Sequence, residues 1–156
     1  MSLALRRLLQ LCLATLLSLP LSGLAQNALS SYTQQQTQFL PVDEAYQLTL
    51  TADSDQQLLL QWAIAPEYYL YRHAFKAKAS DLNGSISTDL AIPDGLAKTD
   101  EFFGDVEVYY DSLEATATLA KTTELAQIEI TYQGCADAGL CYPPETKSFL
   151  WHMASG

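Results

Sequence analysis

The chain has 156 residues, nearly half of them apolar, with 18 acidic against 8 basic side chains and a net charge of −10. That length suits one domain with a core large enough to fold unaided. Such acidity repels phosphate backbones and anionic lipid, which argues against nucleic acid as a partner.

In chain order, Arg6 and Arg7 precede an apolar run from Leu8 to Leu19, followed by Pro20 and a small-residue site at "SGLA". The run is too short to span a bilayer as a helix, so residues 1–25 are expected to be a signal peptide cleaved after Ala25, and the protein to be periplasmic. Cys12 leaves with it. Residues 26–38, "QNALSSYTQQQTQ", are polar and aperiodic and read as a flexible leader.

From Phe39 onward the pattern is short alternating runs separated by turn signals such as "TADSDQ", "DLNG" and "IPDG". In "QLLLQWAI" Leu58, Leu60, Trp62 and Ile64 share one face; "LEATATL" does the same with Leu113, Ala115, Ala117 and Leu119, and "QIEITY" with Ile128, Ile130 and Tyr132. Further strands are predicted at "YQLTLT" (46–51), "YYLYRHAFKAK" (68–78), "GSISTDL" (84–90), "VEVYY" (106–110) and "TKSFLW" (146–151). His73 falls in the second of these. A helical pattern arises only near "VDEAYQ". About eight strands in one domain predict an all-β, antiparallel β-sandwich of immunoglobulin-like type over residues 39–151, with residues 152–156, His152 included, as a tail.

Exported chains meet an oxidising compartment, and the two cysteines that survive processing, Cys135 and Cys141, are expected to form a disulfide. They bracket the connection "ADAGL" inside "YQGCADAGLCYPPETK" (132–147), where Gly134 and Gly139 permit unusual backbone angles while Pro143 and Pro144 fix the chain. Closing so short a loop stabilises by only roughly 2.4 kcal/mol in the chain-entropy estimate. Spacing alone leaves two readings open. The bridge is a staple, in which case the domain is a non-catalytic binding module, or it is a pair of sulfurs that exchanges with another protein's thiols. The C-x5-C spacing and unpaired histidines do not suit zinc.

Three segments in order, "YYLYR" (68–72), "DEFFG" (100–104) and "YQGCADAGLCYPPETK", resemble the N-terminal periplasmic domain of the bacterial thiol:disulfide interchange protein DsbD. The resemblance implies a protein-disulfide reductase whose only redox group is the Cys135/Cys141 pair, with no metal, nucleotide or flavin. Cys141 would form the mixed disulfide and Cys135 resolve it. It implies further that "DEFFG", comprising Asp100, Glu101, Phe102, Phe103 and Gly104, is a cap loop whose Phe102 shields the disulfide, and that Tyr69 and Tyr71 lie beside the site. The partners implied are thioredoxin-fold proteins of the DsbC, DsbG and CcmG type, in disulfide isomerisation and cytochrome c maturation. Full family members continue into a membrane electron-transfer domain, so electrons are expected either from a membrane donor on a separate chain or, if this chain is a piece of a longer protein, from that domain. Asp100, Glu101 or Asp137 near the sulfurs would disfavour the thiolate.

Overall fold

The computed structural model describes residues 39–152; the expected signal peptide, the leader and residues 153–156 lie outside them. A single helical turn, α1 (Val42–Ala45), precedes β1 (Tyr46–Ala52), β2 (Gln57–Ile64) and β3 (Tyr68–Tyr71). After a 3-10 turn at Arg72–Ala74 come β4 (Lys76–Asp81), β5 (Gly84–Ile86), β6 (Thr88–Ala91), β7 (Leu96–Asp100) and β8 (Gly104–Tyr109). The chain ends in β9 (Ser112–Leu119), β10 (Leu125–Tyr132), β11 (Gly134–Ala136) and β12 (Glu145–His152).

These strands form three antiparallel four-stranded sheets, ordered β1-β2-β9-β6, β12-β10-β4-β5 and β11-β3-β8-β7. The predicted alternation decides the first two. The inward residues of β2 and β9 join Ala126, Ile128, Ile130 and Tyr132 of β10 in one continuous core. Trp62 stands edge-on to Phe75 at 5.0 Å and to Tyr132 at 5.9 Å, closing the centre of the sandwich. Burying each such large side chain is worth about 1.5–3 kcal/mol, and this layer accounts for the immunoglobulin-like architecture.

The third sheet positions the functional site, and its central strand departs from simple alternation. All four residues of β3 are buried. Tyr68 and Leu70 point into the main core, whereas Tyr69 and Tyr71 point the other way into a second cluster with Val108 and Cys135. A strand covered on both faces reads as a continuous apolar run, which is why "YYLY" carries no polar face.

Several predicted elements divide. The run 68–78 breaks at Arg72–Ala74, where the chain leaves the third sheet for the second, so His73 lies in a turn rather than a strand. The run 84–90 breaks at Ser87, because β5 belongs to the second sheet and β6 to the first. Sequence reading missed β7, which is largely exposed, and the three-residue β11. β12 reaches one residue further than predicted, with His152 pairing with Leu125.

Candidate functional site: a disulfide beneath a β-hairpin

Cys135 and Cys141 are joined by a disulfide. β11 lays Cys135 directly opposite Tyr69 of β3, and Cys141 pairs back onto Cys135 as an isolated bridge. Within the loop, the Ala136 N–H donates to the Leu140 carbonyl at 2.7 Å and the Gly139 N–H to the Ala136 carbonyl at 2.9 Å. Gly139 takes φ +94°, the left-handed freedom expected of it. Gly134 is needed for a different reason than predicted: a Cβ there would lie 2.2 Å from the Tyr69 carbonyl oxygen and 2.6 Å from the Tyr46 hydroxyl. Close approach, rather than a special angle, excludes any side chain. The Tyr46 hydroxyl donates to the Cys135 carbonyl at 3.1 Å, which fixes the buried end of the bridge. Cys135 is 1% exposed, whereas Cys141 is half-buried, so the two sulfurs are inequivalent.

Above the bridge lies a polar cluster of three residues from two strands. Tyr69 and Tyr71 share one face of β3, two residues apart, and their hydroxyls converge on the buried Asp100 at the end of β7. They donate to Asp100 Oδ2 at 2.8 Å and 2.6 Å, while Oδ1 accepts the N–H groups of Phe102 at 2.8 Å and Phe103 at 3.1 Å. Burial raises the carboxyl's pKa, but these donors together outweigh it and hold Asp100 below the usual carboxylate range. Tyr71 is pushed well above the usual phenol range, first by burial and then by Asp100 and Tyr69. The Tyr71 hydroxyl also reaches Cys135 Sγ at 3.1 Å and Cys141 Sγ at 3.9 Å. A buried carboxylate is thus linked to the disulfide through a single phenol.

Asp100 pairs with Gly104 where β7 and β8 form a hairpin, and Glu101, Phe102 and Phe103 make its tip, with Gly104 at φ +73°. Phe103 stands edge-on to Tyr71 and to His73, both at 5.0 Å, and His73 in turn lies 5.2 Å from the Tyr71 ring. Phe102 is 55% exposed and Glu101 is also exposed. The remaining expected acid, Asp137, turns to a cation: its Oδ1 accepts from Lys98 at 3.1 Å and from Tyr110 at 2.7 Å.

Of the residues expected around the cysteines, Tyr69, Tyr71 and Asp100 therefore meet the bridge as a connected network. Sequence reading missed His73, Lys98, Tyr110 and Tyr46. A signal existed for Lys98, which precedes Asp100 by two residues and so shares its strand face, but it required β7 to be recognised as a strand.

The sequence matches the family described as "Thiol:disulfide interchange protein DsbD, N-terminal" over residues 36–152. The chain belongs to that family. It is 40% identical over 120 residues to the thiol:disulfide interchange protein DsbD of Yersinia enterocolitica, covering 76% of this chain and 20% of the relative. The corresponding protein of Colwellia psychrerythraea is 42% identical over 118 residues, covering 76% of this chain and 19% of that one. The chain thus spans about one fifth of the length of these relatives. The fold is similar to the reduced DsbD N-terminal domain of Neisseria meningitidis, with TM-score 0.65 and 31% identity over 74% of this chain and 90% of that one. It is also similar to a Neisseria meningitidis structure of a complex between the DsbD N-terminal and PilB N-terminal domains, with TM-score 0.61, 32% identity, and coverage of 72% and 86%.

As a DsbD N-terminal domain, the chain carries its cysteine pair at one edge of the third sheet. Cys135 is sealed against β3, whereas Cys141 is half-buried. A bridge that only stapled the fold would have no need of a buried carboxylate relayed to its sulfurs.

Proposed function

We propose that the domain exchanges the Cys135–Cys141 disulfide with other proteins in the periplasm and acts as a reductase of thioredoxin-fold partners of the DsbC, DsbG and CcmG type. Electrons would arrive from a membrane donor. The observation that carries this reading is the inequivalence of the sulfurs: Cys141 is half-buried, while Cys135 is 1% exposed and stands 3.1 Å from the Tyr71 hydroxyl.

In the reducing direction the Cys141 thiolate attacks a partner disulfide, forming a mixed disulfide and releasing one partner thiolate. The Cys135 thiolate then attacks Cys141 Sγ, re-forming the domain's bridge and releasing the second partner thiolate. Two electrons leave the domain, and the partner's two thiolates take up two protons. In reverse, attack on Cys141 expels Cys135 as thiolate. Tyr71 is placed to donate to it, while Tyr69 and two backbone N–H groups keep Asp100 satisfied.

Asp100 has a second effect. An anion coupled through Tyr71 disfavours the thiolate, so the reduced pair reacts slowly with chance disulfides until a partner docks. The hairpin tip, with Phe102 as shield, would limit access in the same sense.

The test is the reduction potential of Cys135/Cys141 in the mature domain, equilibrated in thiol buffers and read by alkylation mass shift. A reversible couple above about −300 mV is expected. A bond that resists reduction below that value, or a domain that unfolds when it is lost, would make the bridge a staple and the domain a binding module.

A further inference from the structure

Lys98 lies outside the cysteine network described above, yet three elements meet at its ammonium group. It donates to Asp137 Oδ1 at 3.1 Å and to the Tyr110 hydroxyl at 2.9 Å, and it lies 4.6 Å above the Tyr69 ring centroid. Asp137 belongs to the cysteine loop, two residues after Cys135 and four before Cys141. Tyr110 follows β8 and places its own hydroxyl 2.7 Å from the same Asp137 oxygen. Lys98 and Asp100 occupy positions i and i+2 of β7, so one strand holds Tyr69 twice: Lys98 at the ring face and Asp100 at the hydroxyl.

We propose that Lys98 is a positioning residue for thiol exchange, neutralising Asp137 and holding the cysteine loop to the cap hairpin so that Cys141 keeps its reactivity. The proposal rests on the exchange function above and adds to it the group that balances the site's charge. With Asp100 already an anion beside Tyr71, a second uncompensated carboxylate in the loop would further disfavour a thiolate. Lys98 is 30% exposed and Asp137 41% exposed at the side chain, so the pair's contribution to stability is small. Its main consequence is the local field. Arg72, His73, Asp105 and Glu107 line the open groove of about 990 Å³ beside Lys98 and Phe103, and on the other side Glu67 accepts the Asp137 N–H at its backbone carbonyl at 2.8 Å. Arg72 is itself engaged with Glu107 at 3.2 Å and with Asp94 at 3.5 Å, so it does not replace Lys98 at Asp137.

The experiment compares K98M, K98R, D137N and the K98M/D137N pair with wild type in the reduced mature domain. Iodoacetamide alkylation of Cys141 is followed by peptide mass across pH, with Tm recorded alongside. K98M is expected to move the pH midpoint of alkylation upward and to slow the reaction at pH 7 by about threefold, the effect of roughly half a pH unit. K98R should stay close to wild type, D137N should move the midpoint downward, and the double variant should return toward wild type. The proposal is overturned if K98M lowers Tm without moving the midpoint, or if the double variant is no closer to wild type than K98M. Wild type serves as the control for the function itself: a native bridge that cannot be reduced overturns both readings, whereas a reducible bridge with unmoved midpoints overturns the role of Lys98 alone.

Discussion

The Tyr71 hydroxyl stands closer to Cys135 Sγ, at 3.1 Å, than to Cys141 Sγ, at 3.9 Å. Its one proton is directed to Asp100 in the oxidised domain, and in the proposed exchange it would turn to Cys135 as that sulfur leaves as thiolate. Reduction of the bridge by dithiothreitol should therefore be about tenfold slower in Y71F, the loss of one hydrogen bond to a charged leaving group. Y69F removes an Asp100 donor without removing the Tyr71 contact and should retain most of the rate. Stopped-flow measurement of both variants checks this; equal slowing in the two would place the effect in Asp100 rather than in Tyr71.

Asp100 also links stability to pH. Its carboxyl titrates near 3.9 in the unfolded chain and lower in the native one, where burial is outweighed by hydrogen bonds from Tyr71, Phe102, Tyr69 and Phe103. A depressed native value means stabilisation fully present above about pH 4 and lost as pH falls through the native value. The Tm difference between wild type and D100N should accordingly shrink between pH 5 and pH 2. Other carboxyls titrate in both proteins and cancel. A gap that is constant over that range would mean that the Asp100 carboxyl titrates alike in the native and unfolded chain, and a gap that widens toward low pH that it is held protonated in the fold.

At Gly134 the nearest obstacle to a methyl group is the Tyr69 backbone carbonyl, 2.2 Å away, and backbone in the middle of a sheet cannot rotate aside. G134A is expected to destabilise the oxidised domain by about 3 kcal/mol or more, read by urea denaturation. G139A, at φ +94° but in open space, should cost only about 1 kcal/mol. The reverse order would contradict the packing of β11 against β3.

The two aromatic residues of the hairpin tip should separate into shield and anchor. Phe102 is 55% exposed, so F102A should leave stability within about 0.5 kcal/mol while speeding reaction of the reduced pair with a small disulfide reagent. Phe103 is held between Tyr71 and His73, so F103A should cost about 0.5–1.5 kcal/mol and also speed the reaction by loosening the tip. Unchanged rates in both variants would remove the hairpin tip from control of access.

Alternation along β2, β9 and β10, the turn signals between strands and the cysteine-bearing motif are local properties of the chain. They were sufficient for an all-β sandwich and its core residues, because a strand's period of two is written into consecutive residues, and for the Cys135–Cys141 pairing, because only two cysteines follow the expected signal peptide. The same locality failed at β3 and Arg72–Ala74, where one apolar-aromatic run serves two environments and then changes sheet. What only the tertiary structure decided is how distant residues meet. Lys98 finds Asp137 across 39 positions, Tyr71 finds Cys135 across 64, and the Tyr142 hydroxyl donates to the Leu40 carbonyl across 102. Each pairing depends on sheet order and register, which no local pattern specifies. A tyrosine in "YYLY" is simply an aromatic strand residue until β11 pairs beside it and the end of β7, beyond β8, brings Asp100 to its hydroxyl, and only then does it connect a carboxylate to a sulfur.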